Sequence, residues 1–63
     1  MTEITMKVKG RLLLKGISIT SIAKSLGLSL TFVSLVINQK KKSKRVMRHI
    51  SNLLEKSYEE IWE

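Results

Sequence analysis

Two glycines, each followed two positions later by a serine, divide the first part of this chain into short segments. The pairs are Gly16 with Ser18 and Gly27 with Ser29. Glycine readily adopts the left-handed conformation in which many helices end, and a serine hydroxyl can accept a hydrogen bond from a free amide at the start of the next helix. Because the chain also lacks proline, this pattern predicts three successive helices, over about residues 5–15, 19–26 and 30–38.

Apolar residues within these segments recur at helical spacing, which predicts one buried face on each helix. The residues expected to face inward are Ile4, Val8, Leu12 and Leu13 in the first helix, Ile22, Ala23 and Leu26 in the second, and Val33, Val36 and Ile37 in the third. Gly10 interrupts the first helix and weakens it by up to about 1 kcal/mol relative to alanine. That helix should therefore depend on burial of its apolar stripe.

The rest of the chain continues the helical pattern after a loop that begins at Asn38. Ser43 is a candidate N-cap for a fourth helix over residues 44–56, and Ser57 with Glu60 matches a capping box that opens a last turn over residues 58–62. The side chains expected to face inward here are Val46, Ile50, Leu53 and Leu54, and then Tyr58, Ile61 and Trp62. We therefore expect a single all-α domain of four to five helices over residues 1–63.

Charge is unevenly distributed along the 63 residues, whose formal net charge is +7. Residues 1–56 contain twelve positive and two negative side chains, whereas residues 57–63 contain three glutamates and no cation. Six of the cations lie between Lys40 and Arg48. A lysine run is often only a solvated face, but this one lies between two apolar-periodic segments, which favours a polyanionic partner.

Several function classes have little support in the composition. The chain has one histidine, no cysteine and no aspartate, which leaves few groups for acid–base catalysis and only His49 as a nitrogen ligand for a metal. We therefore expect no enzymatic activity, no cofactor and no metal site, with His49 as a surface or packing residue. The apolar runs are far shorter than the ~20 residues of a membrane span, and we expect neither a secretion leader nor a membrane partner.

The second and third predicted helices have the arrangement of a helix-turn-helix over about residues 18–38. Ala23, Gly27, Val33 and Val36 occur at relative offsets of 0, +4, +10 and +13. A small residue is needed where the two helices cross, a positive φ is needed in the turn, and compact apolar residues seal the contact. A helix-turn-helix places its second helix in the major groove of DNA.

With these residues in place, the segment over residues 17–44, ISITSIAKSLGLSLTFVSLVINQKKKSK, resembles the lambda-repressor-like (Cro-type) helix-turn-helix domains. These domains occur in phage repressors and in many small bacterial regulators. The ending SYEEIW, residues 57–62, is similar to the short closing helix of Ner-like phage regulators. The resemblance implies double-stranded DNA as the partner and the bacterial cytoplasm or nucleoid as the location.

The resemblance also implies roles for individual residues. Thr20 would contact phosphate at the start of the second helix, Asn38 would contact the DNA backbone, and the intervening helix would contact base edges. The residues implied at the base edges are Ser29, Leu30, Thr31, Ser34 and Leu35, and those implied to hold phosphates are Lys40, Lys41, Lys42, Lys44 and Arg45.

The third helix departs from the family pattern, because many relatives place arginine, glutamine or lysine where this chain has Leu30 and Leu35. Leucine cannot form the paired hydrogen bonds by which arginine recognises guanine and glutamine recognises adenine, but it can contact a thymine methyl. Three interpretations remain: weak recognition through methyls, hydroxyls and DNA shape; a patch of Leu30, Phe32 and Leu35 for a protein partner or for self-association; or insertion of these side chains into a rearranged core.

We expect a sequence-specific transcriptional regulator, most simply a phage- or prophage-type repressor that binds a palindromic operator as a homodimer. The closing turn with Tyr58, Ile61 and Trp62 is the candidate dimer surface, and the first helix is the alternative. The competing hypothesis is a protein-interaction module, such as an anti-repressor or assembly factor, that binds a regulatory protein through the third helix. A third hypothesis, a basic amphipathic peptide acting on anionic membranes, fits poorly with several short helices separated by glycines.

Overall fold

A computed structural model describes residues 3–63, which form five helices and no strand. The helices are α1 (Glu3–Leu14), α2 (Ile19–Leu26), α3 (Leu30–Ile37), α4 (Lys44–Leu53) and α5 (Tyr58–Trp62). The predicted all-α class is confirmed for this part of the chain. Helices α2 and α5 have the predicted bounds, whereas α4 ends at Leu53, three residues before the expected Lys56.

Serine hydroxyls begin four of the five helices, as the sequence predicts. Each hydroxyl accepts a hydrogen bond from the backbone amide three residues later, at 3.1 Å for Ser18, 3.1 Å for Ser29, 3.4 Å for Ser43 and 3.2 Å for Ser57. The Ser57 hydroxyl also lies 3.2 Å from the Glu60 carboxylate, to which it can donate. Local sequence therefore determines where α2, α3, α4 and α5 start.

The first four helices end in the same way, with a residue of positive φ just beyond the last turn. These residues are Gly16 (69°), Gly27 (67°), Gln39 (61°) and Glu55 (56°). The following amide then donates to the carbonyl five positions earlier: Ile17 to Leu12, Leu28 to Ala23, Lys40 to Leu35 and Lys56 to Ser51, over 2.9–3.1 Å. This is the Schellman termination. It explains why α4 stops early, because the Glu55 conformation closes the helix before Lys56.

The core draws on all five helices. Its buried apolar residues are Val8, Leu12, Ile22, Ala23, Val33, Val36, Ile37, Val46, Met47, Ile50, Leu54, Ile61 and Trp62. Most residues expected to face inward do so, with Ile4, Leu26, Leu53 and Tyr58 only half-buried against the core. The prediction for Leu13 is wrong, because its side chain is 80% exposed. Leu13 lies one residue past Leu12 and therefore points about 100° away from it.

Ile61 and Trp62, both predicted at a candidate dimer surface, belong to the core of the single chain. Their side chains are only 4% and 5% exposed, whereas Tyr58 is half-buried. The Trp62 indole Nε1 donates to the Met47 carbonyl at 3.0 Å and lies 3.2 Å from the Ser51 hydroxyl. This burial corrects the candidate dimer surface, since Ile61 and Trp62 already pack against α4 and leave almost no area for a second chain.

Among residues 3–63, no single helix is both long and apolar enough to cross a membrane. The consecutive helices α2 and α3 pass that test of length and composition only when taken together, and their axes are bent by 116° at the break between them.

Candidate functional site

Helices α2 and α3 form a tight pair, joined by the three residues Gly27, Leu28 and Ser29 and bent by 116°. Ala23, Val33 and Val36 are 5%, 0% and 1% exposed. Gly27 has a φ of 67°. The three side chains of Ala23, Val33 and Val36 are thus buried as expected. Gly27 has the positive φ expected in the turn. Tight packing at this crossing fixes the direction in which the outer face of α3 points.

The first turn of α2 presents Thr20 to solvent. Ser18 caps this helix, because its hydroxyl accepts from the Ser21 amide at 3.1 Å, and the Ser21 hydroxyl donates to the Ser18 carbonyl at 2.8 Å. The Thr20 side chain is exposed on the same turn. Positive partial charge at a helix N-terminus attracts anions, so Thr20 is placed where a phosphate contact is favourable.

The first turn of α3 is its most accessible part. Leu30 is 51% exposed, and Thr31 beside it is also exposed. Ser29 uses its hydroxyl oxygen to accept from the Phe32 amide at 3.1 Å, but its hydroxyl proton can still be donated. This turn therefore offers two hydroxyls and one leucine side chain to a ligand.

The second turn of α3 is more enclosed than the helical pattern suggests. Ser34, Leu35 and Asn38 are all half-buried. The Asn38 side-chain amide donates to the Ser34 carbonyl at 2.9 Å and lies 3.3 Å from the Ser34 hydroxyl. Asn38 thus folds back onto α3 and helps to terminate it. Ser34 and Asn38 behave as one hydrogen-bonded unit.

The three large apolar residues of α3 lie in different environments. Phe32 is half-buried and packs against the core, and Leu35 is also half-buried. Leu30 alone among them remains more than half exposed. Leu30, Phe32 and Leu35 therefore do not form one exposed apolar patch. Of the three, Phe32 packs against the core, and it is only partly buried there.

The lysine loop is attached closely to the end of α3. Gln39 adopts a φ of 61°, and the amides of Lys40 and Lys41 both donate to the Leu35 carbonyl, at 2.9 Å and 3.3 Å. The side chains of Lys40, Lys41 and Lys42 are exposed. Three cations are therefore held next to α3 by backbone hydrogen bonds rather than by a flexible tether.

Arg45 joins α4 to α2. Its guanidinium Nη2 donates to the Leu26 carbonyl at 3.1 Å, at the C-terminal end of α2. A guanidinium has five donor hydrogens, so this contact leaves others for a phosphate. Lys44 is exposed beside it. Arg45 therefore has a structural role that the sequence did not predict, in addition to the phosphate contact implied by the resemblance.

An open groove of about 490 Å³ extends the basic surface along α4. Its lining residues are Leu26, Lys44, Arg45, Arg48, His49 and Asn52, with no carboxylate among them. Arg48 and Asn52 were not assigned to the site from sequence, although they follow Lys44 at intervals of four residues and hence share its face. Within the described residues, His49 Nε2 is buried without a hydrogen-bond partner.

Acidic side chains lie apart from these cations. The ion pairs found among residues 3–63 join Lys7 to Glu3 at 3.0 Å and Lys15 to Glu55 at 3.2 Å. Neither pair includes a cation of the lysine loop or of the α4 groove. The positive charge of this surface is thus left uncompensated for an anionic ligand.

No group of three or more histidine, cysteine, aspartate or glutamate side chains within residues 3–63 is arranged to hold a metal ion. Comparison of the chain with protein-family models, with curated proteins and with solved structures finds no match.

Proposed function

We propose that this chain is a sequence-specific, double-stranded DNA-binding transcriptional regulator of the lambda-repressor-like helix-turn-helix kind, acting as a repressor. One observation supports this most strongly: α2 and α3 are bent by 116° across a three-residue turn that contains Gly27. Helix-turn-helix units have interhelical angles of about 90–120° and turns of about three to four residues. The exposed cations follow directly after the second helix of this pair, where DNA phosphates would flank the groove.

In this proposal α3 enters the major groove with its first turn closest to the bases. The Thr31 hydroxyl can donate to or accept from a base edge, and Leu30 can contact a thymine methyl. Ser34, Leu35 and Asn38 are half-buried, so they contribute less to base recognition than the first turn does. Part of the specificity would then come from DNA shape.

Phosphate contacts supply most of the affinity in this proposal. The cations concerned are Lys40, Lys41 and Lys42 in the loop, Lys44 and Arg45 at the start of α4, and Arg48 in the groove. Thr20 adds a neutral contact at the N-terminus of α2. Each neutralised phosphate releases condensed counterions, so binding should weaken steeply as salt concentration rises.

A single α3 helix contacts few base pairs, so one copy should discriminate poorly between sequences. Two copies on a symmetric operator would present two α3 helices about 34–36 Å apart, one turn of DNA. Occupation of such a site within a promoter would exclude the polymerase, which is the simplest route to repression.

Selection of bound duplexes from random DNA, followed by footprinting, tests the proposal. We expect an enriched palindromic motif. Fluorescence anisotropy on that duplex should then give a slope of log K against log salt of about −5 to −6 per bound copy, if the six basic side chains from Lys40 to Arg48 each contact a phosphate. The double substitution Lys41→Ala with Lys42→Ala should reduce this slope by about 2.

A matched control for that variant is Lys7→Ala with Lys56→Ala, which removes the same charge from α1 and from the segment before α5. Equal losses of affinity in the two variants would indicate non-specific attraction and contradict the proposed site. Absence of any enriched motif, with affinity independent of salt, would contradict DNA binding altogether.

The competing proposal, a protein-interaction module, is favoured by one observation: Leu30 exposes 51% of its surface at the start of α3. Such a module would keep its partner affinity when Lys41 and Lys42 are changed to alanine. It would lose that affinity on Leu30→Ser.

A further inference from the structure

A small, partly enclosed cavity of about 230 Å³ lies between the lysine loop and the core. Four apolar side chains line its inner part: Ile4 from α1, Val36 from α3, Met47 from α4 and Trp62 from α5. Val36, Met47 and Trp62 are buried, and Ile4 is half-buried. Four helices therefore meet at this cavity without filling it.

Polar side chains line the outer part of the same cavity. They are Gln39, Lys41 and Lys42, and all three are exposed. In the part of the chain that the structure describes, no carboxylate lines the cavity, and neither lysine belongs to an ion pair. Lysine can lay its methylene stem along an apolar wall and direct its ammonium group outwards. The cavity thus combines an apolar interior with a positively charged rim.

Hydrogen bonds within the chain hold the residues around the cavity in place. The amides of Lys40 and Lys41 donate to the Leu35 carbonyl at 2.9 Å and 3.3 Å, which fixes the loop to the end of α3. The Trp62 indole donates to the Met47 carbonyl at 3.0 Å, which fixes the inner wall. A preorganised site loses little conformational entropy when a ligand binds.

We propose that this cavity binds a small apolar carboxylate, preferably one with a single aromatic ring. The ring would contact the Met47 thioether and the Trp62 indole, since both groups interact favourably with aromatic rings. The carboxylate would lie at the rim, where Lys41 and Lys42 supply positive charge and the Gln39 amide can donate. A cavity of about 150 Å³ is enough to hold benzene, so the larger volume here leaves room for the carboxylate.

Such a ligand would weaken the proposed contact with DNA, and in this respect the inference rests on the proposed function. Lys41 and Lys42 are two of the cations that we expect to neutralise phosphates. A bound carboxylate neutralises one of these charges, so about one fewer counterion is released when the chain binds DNA. At about 0.15 M salt, the loss of one such contact lowers affinity by about fivefold. By linkage, DNA weakens ligand binding by the same factor.

Benzoate, benzamide and acetate probe the two parts of the cavity separately. An NMR titration of the full chain without DNA follows the Met47 methyl group and the indole N–H of Trp62, the chain's single tryptophan. We expect saturable shifts with benzoate and a dissociation constant between about 0.1 mM and about 10 mM, as for other ligands of this size. Benzamide lacks the charge and acetate lacks the ring, so each should bind at least about fivefold more weakly. Absence of saturation with benzoate, or equal affinity for either other compound, would overturn the proposal.

The double substitution Lys41→Ala with Lys42→Ala tests the rim. It should weaken benzoate binding by at least about fivefold, because two partly exposed charge contacts are lost. The matched control, Lys7→Ala with Lys56→Ala, removes the same charge from residues that do not line the cavity and should change the affinity by less than about twofold. Equal losses in the two variants would indicate general attraction of anions and would overturn the assigned rim.

Ile4→Phe tests the interior, because the larger side chain should fill the cavity and block benzoate. Ile17→Phe is the matched control, since Ile17 is also half-buried against the core but does not line this cavity. Circular dichroism melting identifies the variants that are folded. Benzoate binding that persists in a folded Ile4→Phe chain, or that is lost equally in Ile17→Phe, would overturn the assignment of the cavity.

Fluorescence anisotropy on the selected duplex tests the coupling to DNA, with sodium benzoate replacing sodium acetate at constant sodium concentration. Saturating benzoate should lower the affinity of the natural chain by about fivefold, and it should have little effect on the Lys41→Ala, Lys42→Ala variant. Saturable benzoate binding without any change in duplex affinity would overturn the regulatory role. The ligand titration itself needs no DNA, so a chain that binds benzoate but no duplex would contradict only the proposed function.

Discussion

The Thr5 hydroxyl of α1 donates a hydrogen bond of 2.9 Å to the backbone carbonyl of Ile37, 32 residues later at the end of α3. Both residues are 0% exposed. Carbonyls in the last turn of a helix have no partner within the helix, and a buried polar group without a partner is costly. Thr5 thus completes α3 from a distant part of the chain and fixes α1 against the end of the candidate DNA-contacting helix.

Thr5→Val should therefore destabilise the fold by about 1–3 kcal/mol, because it preserves the shape of the side chain but leaves the Ile37 carbonyl without its donor. Urea denaturation followed by circular dichroism measures the change. Thr31→Val makes the same chemical change at an exposed position of α3 and should cost less than about 0.5 kcal/mol. Similar losses in both variants would mean that intrinsic helix preference, not the buried bond, dominates.

Trp62→Phe should also destabilise the chain, by about 1–3 kcal/mol, because it removes the indole donor from the Met47 carbonyl and reduces buried area. The change removes the chain's single tryptophan, so unfolding must be followed by circular dichroism rather than by fluorescence. Tyr58→Phe removes only a weak contact, from the hydroxyl to the Met47 sulfur at 3.7 Å. If Tyr58→Phe proved the more damaging variant, Trp62 would not be the main attachment of α5.

Gln39→Gly should stabilise the chain by about 0.5–1 kcal/mol. Glutamine at a φ of 61° bears a steric cost of about 1–2 kcal/mol, which exceeds the loss of backbone entropy that glycine brings. Thermal unfolding compares this variant with Gln39→Ala, which keeps the strain and should show no gain. A Gln39→Gly chain less stable than wild type would imply that the Gln39 side chain contributes contacts of its own.

Arg45→Lys separates the two roles assigned to that side chain. Lysine keeps the charge but lacks the planar fork that reaches the Leu26 carbonyl and a phosphate together. Because the contact is exposed, the loss of stability should be at most about 1 kcal/mol, whereas DNA affinity should fall by about tenfold. Arg48→Lys is the control for a groove cation without that hydrogen bond. Equal effects of the two variants on DNA affinity would remove the special role of Arg45.

Helix positions were predictable from sequence because their determinants are local. Ser18, Ser29, Ser43 and Ser57 each bond an amide only three residues away. Gly27 terminates α2 through its own backbone freedom. Such contacts depend on neighbours in the chain, so a pattern of residue types is enough to reveal them.

Contacts between distant segments were not predictable in the same way. Nothing in the local sequence shows that Thr5 reaches Ile37 or that Arg45 reaches Leu26. The positive φ of Gln39 and Glu55 also escaped prediction, because neither residue type signals a helix end. Apolar type alone does not predict the exposure of Leu13, because one residue of rotation moves a side chain about 100° around the helix.

The candidate site was predictable from the sequence only in part. Exposure of Thr20, Thr31 and the loop lysines agrees with the sequence-based assignment. The pairing of Asn38 with Ser34 and the extension of the basic groove to Arg48 emerged only from the fold. The contribution of Asn38 and Arg48 to DNA binding stays a prediction for the affinity measurements.

The helix boundaries also bear on how quickly this chain reaches its native state. Each of the first four helices is closed at its C-terminus by a hydrogen bond spanning only five residues, and every serine cap spans three. Little loop-closure entropy is lost in forming such bonds. Small helical domains dominated by local contacts fold in about microseconds to milliseconds. The time spent with exposed apolar surface after synthesis is correspondingly short, and with it the opportunity for aggregation.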